Sequence, residues 1–516
     1  MIKRVARIVK WALFALALFW AASCLWQSAE GFLHENNGHE EYSRAPEYAD
    51  LVAGMVGRNL GYVATESRDL DPTDRERVVY MSWEISPGTV TPISPDMVPS
   101  WQGPLVGPAG ATEEAEDRYE ACGFYVMACN ESAVLRSRVN FQPDPREDHA
   151  PMDMSFRSLL GVLVAMFMLL CAWLRLRGDG KTSVVTAAFA LAVFVALASA
   201  SLRYGLTSPN GLATYAGKAK LFLLAHGVPS GFFTDPAYAV YQPAYPPGMV
   251  IPAIISFLIG GCGNFWLQLF VPFVLALLFV ELAGRPTVFS VSLAAAYVLC
   301  LVAQGMAIGY YAEPLCALVL VMGWRAVRQG RTSLGWTLVG CAGLVRPEGL
   351  LLAMAALCLH SIGERRLELG WIFAAVAPGM IWQLLMTVLG AGLQGYDFTA
   401  GPSFEHLTCF AEHFVSCLAH GVNGSGVALC ACLLILGCGR IRTGLLLLAS
   451  WIAVVAVGGI LIACSESVHF EWILEMSLGR YMWLVSAVLV CEACLAQGRV
   501  RGWHSSRTGG VKGPSI

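Results

Sequence analysis

The sequence predicts a polytopic α-helical membrane protein of about 12 crossings plus one re-entrant or partial helix, with a small extracytoplasmic α/β head after the first helix. Three observations carry that reading. Of 516 residues, 56% are hydrophobic and only 14% charged, a balance far from that of a soluble domain. From residue 155 onward, apolar runs near bilayer-crossing length follow one another with short polar breaks. The one long polar stretch, 29–154, has an apolar run on each side, so both of its ends meet the same membrane face.

Residues 1–28 join a basic start (Lys3, Arg4, Arg7, Lys10) to an apolar core, the pattern of an N-terminal membrane anchor or a signal. The basic start holds the N-terminus in the cytoplasm and puts the following head outside. In 29–154, short β-like runs such as VVYMSWEI and FYVMAC alternate with Pro- and Gly-rich turns, which predicts a soluble unit with strands. Cys122 and Cys129 would there meet an oxidising compartment, and a bridge between them is expected.

The apolar runs of the third region, 155–497, lie near 155–174, 182–202, 247–261, 264–283, 287–304, 313–328, 332–345, 349–362, 369–390, 423–439, 443–463 and 480–497. Arginine clusters at 175–177, 325–331, 365–366, 440–442 and 499–501 all belong in the cytoplasm. An odd number of runs separates the first two clusters, so one run does not cross. The short run 247–261, broken by Pro252 and closed by glycines, is the expected re-entrant one. The remaining parity leaves the tail, 498–516, cytoplasmic, and puts the loops 203–246, 391–422 and 464–479 outside with the head.

Composition narrows the partners. A net charge of −3 with no long run of like charges gives no footprint for nucleic acid. The 17 cysteines sit mostly inside apolar runs without zinc-like spacing, where Cys acts as a small hydrophobe. No cofactor is called for, and a divalent metal is left open.

Polar residues at the outer border are the candidates for chemistry. The loop 203–246 carries Lys218, Lys220 and Asp235, and its residues 212–226 predict an amphipathic helix along the interface. Its end, TDPAYAVYQPAYPPGM, packs tyrosines, prolines and one carboxylate between two apolar runs. Further on, Glu313 opens a helix in YAEP, Arg346 and Glu348 sit in LVRPEG, and Arg480 starts the last run. Outer arginines have no topological reason to be there, which points to an anion site. Glu405, His406, Glu412 and His413 lack a metal-binding helical spacing and are lining candidates.

An outer loop with a carboxylate, a KAK interfacial helix, a YPPG run into the next apolar segment, and then YAEP and LVRPEG resembles the GT-C class of membrane glycosyltransferases. Within it, the chain is similar to bacterial families related to protein O-mannosyltransferases and lipopolysaccharide-core transferases. The resemblance covers roughly 155–497 and implies transfer of a sugar from a polyprenyl-phosphate carrier to a glycan, lipid or protein acceptor on the outer face of a bacterial inner membrane. An outer-loop carboxylate would activate the acceptor, and cationic side chains would hold the departing phosphate. The place where related sequences carry an early loop Asp holds Asn210 here, and an amide is no base. Gln242 and Ala244 likewise stand where some relatives have His and an acid. The resemblance thus leaves Asp235 as the loop's carboxylate, with Glu313 in reserve, and assigns substrate contacts to Lys218, Lys220, Tyr245, Arg346, Glu348, Glu405, His413 and Arg480. Two other functions compete: a transporter or flippase of a lipid-linked intermediate, which needs no base, and a catalytically silent assembly subunit.

Overall fold

Every apolar run from residue 182 onward is helical in the computed structural model. The structure describes five short strands between residues 60 and 137 and the chain from 184 to 508, apart from connecting stretches at 205–210, 236–237, 239–240, 261–264, 285–286, 304–308, 392–401, 421–424, 439 and 465–469. The expected segments at 1–28 and 155–174 lie outside the described residues.

The strands β1 (Leu60–Val63), β2 (Val90–Ile93), β3 (Leu105–Pro108), β4 (Phe124–Cys129) and β5 (Ser132–Ser137) form one mixed sheet in the order β2-β1-β3-β5-β4. β1 runs parallel to β2 and β3, while β4 and β5 form an antiparallel hairpin. Cys122 lies outside the described residues. Cys129 ends the six-residue β4, and the expected Cys122–Cys129 bridge falls outside what the structure describes.

Two polar clusters at opposite ends of the bundle give each helix a direction. The helices are α1 (Val184–Tyr204), α2 (Lys218–Leu224) preceded by a π-helical turn (Gly211–Gly217), α3 (Val250–Gly260), α4 (Phe265–Ala283), α5 (Val288–Ala303), α6 (Glu313–Arg328), α7 (Thr332–Val345), α8 (Pro347–Glu364), α9 (Leu369–Val388), α10 (Phe404–His420), α11 (Ser425–Gly437), α12 (Ile441–Ala463) and α13 (Phe470–Thr508). At one end, Arg346 and Arg480 meet Glu313. At the other, Arg328 meets Glu364 and Glu492, Arg440 meets Glu492, and Arg325 meets Glu281. The 16 residues of α6 join the two ends, a rise of about 24 Å. The arginine bias gives the expectation that the Glu313 end is the outer one, and that end is called outer below.

Among the described residues, α1, α4–α9 and α11–α13 run between the two ends, alternating in direction along the chain. Three of them, Leu369–Val388, Ile441–Ala463 and the Ser477–Ala496 part of α13, are long and apolar enough to cross a membrane unaided by tilt or thinning. Of these three, the Ser477–Ala496 part of α13 lies mostly inside the bundle, while α9 and α12 are mostly outside it. α9 and α12 turn large apolar residues outward, such as Phe373 and Ile381, as lipid contact requires.

α3 behaves differently. The Tyr310 hydroxyl donates to the Met249 carbonyl at the start of α3 (2.8 Å), which puts that start at the outer end. Phe270, early in α4, also meets the Tyr310 ring (5.8 Å), and α4 finishes with Glu281 at the inner end. Two successive helices thus start near the same end of the bundle, and the 11-residue α3 does not carry the chain to the other end. Its length, about 16 Å, falls short of a bilayer core.

Two outer segments differ from the sequence expectation. The loop 391–422 contains the 17-residue α10. Of the loop 464–479, residues from Phe470 onward belong to α13, whose 39 residues also continue past 497 to Thr508.

Candidate functional site

LVRPEG builds the centre of the outer cluster. Pro347 disfavours helix at the residue before it, and Arg346 is accordingly extended (φ −144°, ψ 148°) while Pro347 opens α8. α7 and α8 therefore form a hairpin with a one-residue joint, and Arg346 projects from it. Gly349 makes the joint close: a Cβ there would stand 2.0 Å from the Ala342 carbonyl oxygen. Glu348 falls in the first turn of α8 and Glu313 in that of α6, where the helix dipole favours a carboxylate.

The Arg346 fork grips Glu348 through Nε to Oε2 (3.0 Å) and Nη2 to Oε1 (2.7 Å). Its remaining Nη1 donates to Glu313 Oε1. Each of the three Arg346 nitrogens thereby donates to a carboxylate. Arg480 Nη1 stands 3.7 Å from that same Glu313 Oε1, an ion contact beyond hydrogen-bond length, and its guanidinium lies over the Tyr311 ring (5.4 Å to the centroid). Glu313 is 1% exposed, and its Oε2 is buried with no hydrogen-bond partner. Such an atom in a native interior calls for a ligand or a water. Two guanidinia and two carboxylates leave the four-residue set electrically balanced.

A wall of tyrosines links this set to the loop. Tyr215, on the π-helical turn, meets Tyr245 and Tyr310 edge-on, each at 6.5 Å. Burial pushes the Tyr215 hydroxyl well above its usual range, while the nearby Arg346 charge opposes the rise. Gly211 brings the turn against the Tyr310 backbone, 3.0 Å from a would-be Cβ.

The Pro-rich stretch is pinned from several sides. Gly248 N donates to Leu344 O (2.8 Å), and a Cβ on Gly248 would lie 2.6 Å from that oxygen, so PPG docks on the end of α7 beside LVRPEG. Trp382 Nε1 on α9 donates to Ala244 O (2.9 Å). Lys218 Nζ donates to the carbonyls of Gln242 (3.0 Å) and Tyr245 (3.3 Å). Thr214 donates to the Gln242 side chain (3.3 Å), which lets Gln242 hold a left-handed backbone (φ 46°), a strained choice for a residue with a Cβ.

Lys218 is the largest departure from the sequence reading of 212–226. It is 3% exposed and sits 5.9 Å from the centroid of the Phe232 ring, so it points inward. Burial brings its pKa down to about 7. Lys220, two residues on, is half-buried. Asp235 is exposed and closes a turn through its N–H to Gly231 O (2.8 Å). Partial burial and then the Asp235 charge raise the Tyr238 hydroxyl. Asn210 lies outside the described residues.

Thus Glu313, Arg346, Glu348 and Arg480 converge, with Tyr245 and Lys218 in the adjoining wall. Glu405, exposed, and His413, whose Nδ1 donates to the Cys409 carbonyl of its own helix (3.1 Å), lie on α10; among the described contacts neither reaches the cluster. His406 instead ties α10 to the outer helix ends, stacked on Phe470 (3.9 Å) and bonded to Ala463 O (3.2 Å). Sequence reasoning missed Tyr215, Tyr310, Tyr311 and Trp382 as lining groups; buried aromatics carry no separate signal in a chain this apolar. It also missed Glu281 and Glu492, whose place inside apolar runs was the available signal. Among the described residues, no three His, Cys, Asp or Glu side chains gather as a metal would require.

No protein-family model and no curated protein matches the chain. Among solved structures, the chain is similar to ArnT from Cupriavidus metallidurans bound to undecaprenyl phosphate, with 18% sequence identity and a TM-score of 0.40. The match covers 64% of this chain and 63% of that one, less than two thirds of the ArnT length.

Proposed function

We propose that this chain is a membrane glycosyltransferase that moves a sugar from a polyprenyl-phosphate carrier to an acceptor at the outer face of a bacterial inner membrane. The observation that carries the reading is the buried Arg346–Glu313–Arg480 set with its unpartnered carboxylate oxygen, at the border where a lipid phosphate lies. Guanidinium groups there suit a phosphate, whose charge grows as the carbon–oxygen bond to the sugar breaks. The acceptor oxygen forms the new bond to the anomeric carbon. The bond from that carbon to the phosphate oxygen breaks, and the electron pair leaves with the phosphate.

Asp235 is assigned to take the proton from the acceptor. It is exposed to water, as a base that must be ionised and reachable requires. Glu313 is less suited: it is 1% exposed, and its Oε1 is already shared by two guanidinia. Arg480 is assigned to the carrier phosphate, since Arg346 is already gripped by two carboxylates. Tyr245, Lys218 and Lys220 shape the donor's path, while Glu348 keeps Arg346 in place. Glu405 and His413 are assigned to the acceptor side.

The test is transfer or hydrolysis by the purified protein in lipid nanodiscs, supplied with a panel of undecaprenyl-phosphate monosaccharides. Wild-type turnover with a hundred- to ten-thousandfold loss in Asp235→Asn supports the assignment. Arg480→Ala is expected to weaken carrier binding roughly ten- to a hundredfold. Binding without turnover across the panel overturns the enzyme reading in favour of a silent subunit. Passage of the lipid between leaflets without turnover overturns it in favour of a transporter.

A further inference from the structure

Glu313 opposes the very ligand that the site is proposed to hold. The four ionised groups already cancel, in an environment where Glu313 is 1% exposed and the side chains of Arg346 and Arg480 are each 15% exposed. An arriving phosphodiester adds a negative charge to a neutral, poorly solvated set, and a buried charge without a counter-ion is costly. Something must yield. The Arg346 contacts are the firm ones, with hydrogen bonds to Glu348 of 2.7 and 3.0 Å and a further one to Glu313. The Arg480–Glu313 contact, at 3.7 Å, is the loose one. Arg480 is also the group with an aromatic face to rest on when it moves, at Tyr311. Glu313 keeps Arg346 as its partner when Arg480 turns away.

We infer that Glu313 is a built-in competitor for the carrier phosphate: it pairs with Arg480 in the empty site, gives Arg480 up to the incoming phosphodiester, and by returning to it helps to expel the spent carrier. This deepens the proposed function and rests on it. The competition grows at the step where it is useful. The donor's phosphodiester carries one negative charge, whereas the released polyprenyl phosphate monoester approaches two near neutral pH, as other phosphate monoesters do. Repulsion by Glu313 therefore acts more strongly on product than on donor. The role differs from that of a base or of a donor-binding group, because removing the charge should tighten binding of the carrier.

The experiment measures equilibrium binding of undecaprenyl phosphate to full-length protein in neutral-lipid nanodiscs, for wild type, Glu313→Gln, Arg480→Ala and the double variant. Melting profiles establish that each variant is folded, and Glu313→Asp, which withdraws the carboxylate by one methylene, provides a milder form of the same change. The expected result is about tenfold tighter binding in Glu313→Gln, a smaller tightening in Glu313→Asp, and weaker binding in Arg480→Ala. In the double variant the tightening should vanish, because it acts through Arg480. With the panel of sugar donors, Glu313→Gln should also lower kcat through slow product release. Unchanged or weaker binding in Glu313→Gln, beside normal wild-type binding that depends on Arg480, overturns this inference and leaves the proposed function standing. Absence of wild-type binding overturns both.

Discussion

At the scale of single residues, burial decides what a charge can do. The sequence pattern makes Lys218 an interfacial cation, yet in the fold it faces inward and fixes the Gln242–Tyr245 backbone. The lysine of an unfolded chain titrates near 10.5, and burial brings the folded value down to about 7. Between these values the unfolded chain binds the extra proton, so folded stability rises with pH across that window and falls as pH drops toward 7. Thermal unfolding in detergent should show this rise, at up to about 1.4 kcal/mol per pH unit, and Lys218→Met should flatten it. Arg346 illustrates the other side of burial. Removing it leaves Glu313 and Glu348 without their firm partner, and breaking a buried pair costs about 3–5 kcal/mol. Arg346→Ala is expected to lower the denaturation midpoint severely, whereas Arg480→Ala, whose contact is longer, should melt near wild type.

At the scale of elements, close backbone approach sets the geometry. Gly323 and Gly335 let α6 and α7 touch: a Cβ on either meets the other's carbonyl oxygen at 2.7 and 2.8 Å. Gly340 does the same for α7 on α9, with the Ala374 oxygen 2.2 Å from a would-be Cβ. Small residues at such crossings are how helices pack when lipid removes the hydrophobic drive. Gly340→Val should therefore separate α7 from α9 and destabilise the fold by several kcal/mol, in line with overpacking against unyielding backbone. Gly248→Ala is more local, because it wedges PPG off Leu344 beside the charged set. Its signature should be loss of carrier binding with a smaller loss of melting temperature. The helices were legible in the sequence because apolar runs advertise themselves. Their contacts were not, since a glycine in an apolar run reads the same whether it meets lipid or another backbone.

At the scale of the whole molecule, the two charged clusters fix the directions of the described helices, and the arginine bias sets the expectation of which end faces the cytoplasm. Cysteines introduced beside Pro402 and in the 467–469 stretch should react with an impermeant thiol reagent from the outer side. One introduced beside Arg331 should react only after permeabilisation. Labelling beside Pro402 from the cytoplasm would invert the orientation and remove the site from the face on which its substrate is proposed to lie. The expectation that 247–261 does not cross agrees with α3, whose start lies at the same end as the start of α4.

The sequence by itself determined the membrane class and the positions of the helices from 182 onward, and it set expectations for the non-crossing segment and for the polar residues at one border. Those features are local: hydropathy, proline and arginine counts can be read within a window of twenty residues. Only the tertiary structure decided which charges meet. Arg346 reaches Glu313 across 33 residues, and Arg328 reaches Glu492 across 164. The inward turn of Lys218 was hidden for a related reason. The π-helical turn at Gly211–Gly217 changes the number of residues per turn, so a 3.6-residue period assigns the following side chains to the wrong face. Charge compensation and burial belong to the packed arrangement, and no window along the chain contains them.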